Sequence, residues 1–103
     1  MTNAPSARAG ETIPRRLRLL RLAENCNSAK EFAQKLGVSQ SRYGNIEAGS
    51  SLSIQIAQSI IRVVPGCSLD WLYNGVENGL SVYLRERLRA AERASTRIPP
   101  VTR

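Results

Sequence analysis

The chain of 103 residues contains no histidine. Its absence removes both the commonest general base and the commonest metal ligand. The eight acidic residues form neither a hydrolase-like pair nor a hard-cation cluster. The chain therefore reads as a non-enzyme, with no metal site and no cofactor. Cysteine is scarce too: Cys26 and Cys67 stand apart, without CxxC spacing, as small buried hydrophobes of a reduced chain do. No apolar run approaches the ~20 residues that cross a bilayer, and the N-terminal segment MTNAPSARAGETIP lacks the apolar stretch of a signal peptide. The expectation is a soluble cytoplasmic protein without a membrane partner. Aromatic residues number five, so the core must rest on Leu, Ile, Val and Ala, which suits a small all-α bundle. At 11.3 kDa one core is expected.

What the sequence has in excess is positive charge: 15 Lys and Arg against 8 acids, for a net +7. The excess is uneven. Residues 1–27 carry +3 and residues 79–103 carry +4, while residues 28–49 carry +1 and residues 50–78 carry −1. Basic flanks around a nearly neutral middle suit a phosphate-binding domain with charged arms, although membrane surfaces and acidic partners attract the same arginines.

Helix signals are dense after an unpatterned arm at residues 1–11. Thr12-Ile13-Pro14 opens a first helix to about Ala23, with Ile13, Leu17, Leu20 and Glu24 on one stripe. Ser28-Ala29-Lys30-Glu31 reads as a capping box opening a second helix that Gly37 stops. Ser39 caps a third, Gln40 to about Glu47, closed by Gly49. Ser53 caps a fourth, with Ile54, Ala57, Ile60, Ile61 and Val64 at helical spacing before Pro65. Ser68 starts a short fifth helix, Leu69 to Tyr73. Leu80, Leu84, Leu88 and Ala91 mark a basic sixth at about Ser81–Ala94. No strand signal and no internal repeat is evident.

The informative unit is residues 28–49, a helix, a tight turn and a second helix. Ala33 leaves room for a close crossing; Val38, Tyr43 and Ile46 point inward, while Gln40, Ser41, Gly44 and Asn45 share the outward face. Short amides and hydroxyls on an exposed helix suit the major groove, where Gln and Asn bond adenine bidentately. Gly44 in such a helix costs up to ~1 kcal/mol against alanine.

Four signatures in order, LRLLR, EFAQKLGVS, IEAG and SLDWLYNG, resemble those of the phage-repressor (Cro-like) helix-turn-helix family, over about Arg16 to Gly75. The loop between the first two helices is one residue longer than the usual spacing. The resemblance implies an all-α, five-helix lambda-repressor-like bundle plus a basic C-terminal helix, acting as a dimeric repressor on a double-stranded operator. The implied division is a flexible arm 1–11, a DNA-binding domain 12–78, an amphipathic helix 79–95 and a disordered tail 96–103. By position, Gln40, Ser41 and Asn45 match base-reading sites, with Arg42 on backbone or guanine. Ser28, Ala29 and Ser39 match phosphate contacts, helix N-termini being attractive to anions. Arg15, Arg16 and Arg18 open the first helix as a candidate phosphate cluster. Arg21 and Glu47 match a structural pair. The Leu80, Leu84 and Leu88 stripe must be buried, either on the bundle or, as the family's dimeric habit favours, at an interface. The rival reading is an antitoxin or phage-encoded adaptor acting through a protein partner; the origin implied is bacterial or phage, with nucleoid association. A longer self-cleaving repressor is not expected at this length.

Overall fold

The computed structural model describes residues 12–97, with side chains through Ala94. The expected N-terminal arm and residues 98–103 of the expected tail lie outside the described residues. Six helices follow in order: α1 (Ile13–Ala23), α2 (Ala29–Leu36), α3 (Gln40–Glu47), α4 (Ile54–Val63), α5 (Leu69–Asn74) and α6 (Val82–Arg97). There is no strand among the described residues. The all-α bundle expected from the sequence is thus what the chain forms.

Local chemistry accounts for the boundaries. Each of the first five helices starts at a hydroxyl: Thr12, Ser28, Ser39, Ser53 and Ser68 accept the backbone N–H three residues on, satisfying one of the orphan donors of the first turn. Ser81 does the same for Leu84 at 3.0 Å, opening α6. The box at α2 differs in one respect. Ser28 Oγ accepts the Glu31 N–H at 3.1 Å, but the Glu31 carboxylate reaches the Asn27 N–H at 2.7 Å instead of that of Ser28. At the other end of α2, Gly37 adopts φ +74° and lets the Val38 N–H return to the Ala33 carbonyl at 3.1 Å, a helix stop that favours glycine.

The core is aliphatic around one aromatic pair. Leu17, Leu20, Phe32, Tyr43, Ile60, Val64, Leu72 and Leu84 are its largest fully buried side chains. Phe32 and Tyr43 meet edge to face, 5.5 Å between centroids, a favoured aromatic geometry. Trp71 fills the core from α5, and the Tyr73 hydroxyl at its rim donates to the Leu52 carbonyl at 2.8 Å, tying α5 to the loop before α4. Ile54, expected on the apolar stripe of α4, stands half exposed beside the cap, and Leu52 in the preceding loop is buried in the core.

Leu80 and the leucines of α6 do not form the interface between copies that the sequence favoured for this stripe. Leu80, Leu84, Leu88 and Ala91 are all buried in the same cluster as α1, and α6 packs mainly along α1. Their apolar area is covered within the chain, which leaves none of these residues for a partner. Helix α6 also runs on to Arg97, past the expected start of the tail at residue 96.

Candidate nucleic-acid interface

The turn between α2 and α3 sets the site. Ala33, fully buried and lacking a long side chain, allows α3 to pack closely on α2, while Val38 sits partly buried in the turn. With Tyr43 and Ile46 anchored inward, helical periodicity leaves Gln40, Ser41, Arg42 and Asn45 exposed and Gly44 half-buried. Among the described residues, no side chain of these four is engaged by another part of the chain.

Glu47 fixes the rotation of that face. One carboxylate oxygen, Oε2, accepts from the Tyr43 hydroxyl at 2.6 Å and from Arg21 Nε at 2.9 Å. Arg21 also reaches the Cys26 carbonyl at 3.4 Å, and Arg18 donates to the Glu47 carbonyl at 3.2 Å. Two arginines of α1 therefore brace the C-terminal end of α3, where cations complement the helix dipole. Burial, and then the bond to Glu47, push the Tyr43 hydroxyl far above its ordinary range, so it is a proton donor throughout physiological pH. The Tyr43 contribution escaped the sequence reading, although a Tyr and a Glu four apart on one helix was its signal.

At the N-termini, Ser28 and Ser39 spend a lone pair each on their own helices, Ser39 on the Arg42 N–H at 3.2 Å. Ser39 is exposed, while Ser28 and Ala29 are partly so.

The candidate arginines separate. Arg18 remains exposed next to α3. Arg15 pairs with Glu92 of α6 at 3.7 Å. Arg16 is not a surface cation: it is 4% exposed, and its guanidinium donates to the Leu72 carbonyl at 3.2 Å and the Tyr73 carbonyl at 3.1 Å. It caps the C-terminal end of α5, satisfying carbonyls that a helix end leaves open, and so is removed from the phosphate cluster. Its signal in the sequence was position, three after Ile13 and four before Leu20 on the inward stripe.

A second network, also missed, ties α6 to the motif. Glu24, its side chain 7% exposed, holds Lys35 of α2 at 3.1 Å and Arg87 of α6 at 3.6 Å. Arg87 further donates to the Ala23 carbonyl and lies over the Tyr83 ring. Among the described residues, no group of three or more His, Cys, Asp or Glu is placed to hold a metal ion, and no helix is long and apolar enough to cross a membrane.

No curated protein and no solved structure matches the chain. A family model described as Helix-turn-helix matches residues 17–72, from the core of α1 to the buried Leu72 of α5. That span is more than half of the chain and holds the capped turn, the braced α3 and the exposed polar face: the protein belongs to the helix-turn-helix family of DNA-binding regulators.

Proposed function

We propose that the protein is a sequence-specific transcriptional repressor of the phage-repressor (Cro-like) type, a dimer that reads double-stranded operator DNA with α3 in the major groove. The observation that carries the reading is the face of Gln40, Ser41, Arg42 and Asn45, exposed and unengaged on a helix whose rotation is fixed from behind by Glu47. Gln40 and Asn45 offer paired donors and acceptors to adenine edges, and Ser41 bonds either way. Arg42 reaches a guanine or the adjoining phosphate. Arg18, Ser28, Ser39 and the Ala29 N–H set register on the backbone, contacts that position without specifying sequence. Arg15 adds to the positive field with its charge partly offset by Glu92. The setting is the bacterial or phage-infected cytoplasm, on the nucleoid.

The test is selection of bound duplexes from a random pool, followed by anisotropy titration of the enriched duplex and a shuffled one at several salt concentrations. A common sequence and a preference of at least ~1000-fold at moderate salt support the reading. Equal affinity for both duplexes contradicts it, and a stoichiometric protein partner with no duplex affinity replaces it with an adaptor.

A further inference from the structure

Gly44 is the fifth of the eight residues of α3, and nothing in the fold requires glycine there. It is absent from the glycines with positive φ. Its carbonyl accepts the Ala48 N–H at 3.0 Å, as any residue's would. Outside its own stretch of helix, a Cβ built on it meets no heavy atom within 4 Å, whereas one at Gly66 would collide with Ser81. Alanine at 44 fits the fold, and glycine weakens a helix interior through its greater loss of backbone freedom. The weakening falls on the short helix that carries the reading face. Gln40 and Ser41 lie one turn before Gly44 and Asn45 follows it, so the missing methyl leaves bare backbone at the centre of the exposed polar face.

From this we infer that Gly44 is a positioning residue for DNA: its bare Cα lets the α3 backbone lie against the base-pair edges, bringing the short side chains of Gln40 and Asn45 within hydrogen-bond range. An asparagine reaches a base edge bidentately when its backbone is close, and a hydrogen bond weakens steeply with distance and misalignment. A methyl group at 44 holds the helix away from the groove floor and stretches the flanking contacts. The inference rests on the reading face proposed above.

The experiment compares the wild-type chain with Gly44→Ala and Gly44→Ser, measuring thermal unfolding and anisotropy titration on two duplexes, the one that wild type enriches from a random pool and a shuffled one. Gly44→Ala is expected to raise Tm by up to about 5 °C. It is also expected to lose at least ~10-fold in affinity for the enriched duplex, with affinity for the shuffled duplex unchanged. Gly44→Ser is expected to lose the same preference. Unchanged or tighter binding of the enriched duplex by Gly44→Ala overturns the inference, as does an equal loss on both duplexes. A lowered Tm overturns it as well, since glycine would then serve the fold. The double variant Gln40→Ala/Asn45→Ala separates the two levels. If it keeps the wild-type preference, the reading face fails and the role of Gly44 falls with it; if it loses the preference while Gly44→Ala does not, the inference about Gly44 alone fails.

Discussion

Arg21 Nε lies 2.9 Å from Glu47 Oε2, with both side chains largely buried, so α1 holds the far end of α3 through one charge-assisted bond. The Tyr43 hydroxyl shares that oxygen. Removing Arg21 leaves the Glu47 carboxylate with less compensation in a water-poor setting. Arg21→Ala is expected to cost about 2 kcal/mol, seen as a Tm lower by about 10 °C. Unchanged melting would show that the pair contributes nothing.

Arg16 and Arg42 make opposite predictions. Arg16→Ala strips the C-terminal cap from α5 and is expected to lower stability by about 2 kcal/mol while leaving the salt dependence of duplex binding as in wild type. Arg42 is exposed and unengaged among the described residues. Arg42→Ala is expected to leave Tm unchanged; if it sits on phosphate, the salt slope becomes shallower by about 1. Melting curves and titrations across a salt series check both. A shallower slope for Arg16→Ala would return that residue to the interface.

Much of this architecture is written locally. The hydroxyl caps, Pro14 and Gly37 place the helix ends to within a residue or two, because capping involves groups three or four positions apart. Inward Tyr43 and outward Gln40, Ser41 and Asn45 follow from helical period alone. What local pattern leaves open is which partner arrives from far along the chain. Charge suggested that Arg16 faces solvent; its burial depends on α5 carbonyls 56 and 57 residues away. The leucine stripe of residues 80–88 fits a core or an interface by pattern alone; the family's dimeric habit favoured the interface, and packing along α1 decides for the core.

That decision is itself testable. Leu84 is fully buried in the chain's own core, so Leu84→Ala is expected to destabilise each chain by about 3 kcal/mol. Urea unfolding at two protein concentrations gives the same loss at both. A variant that instead alters only the association state in sedimentation, with the chain's own stability intact, would restore the stripe as an interface.

Stability should fall in alkali. Burial pushes the Cys67 thiol from an ordinary 9.0 up to about 12 and raises the Tyr43 hydroxyl above its ordinary 10.0. Both groups are held protonated by the fold, so their contribution is complete below the unfolded values and is lost as pH rises past them. Tm is expected to decline from about pH 9 upward. Cys67→Ala is expected to flatten the part of the decline between pH 9 and 10, and an unaltered profile in that variant would remove the thiol from the explanation.

The most direct measurement concerns base reading by α3. Anisotropy titration of wild type and Gln40→Ala/Asn45→Ala is made on the enriched duplex and on duplexes changed one base pair at a time. If these side chains read bases, the double variant folds as wild type does and loses about 1–3 kcal/mol of discrimination at each base pair they contact, with binding to shuffled DNA retained. An unaltered ranking of the duplexes would contradict the assignment of α3 as the reading helix.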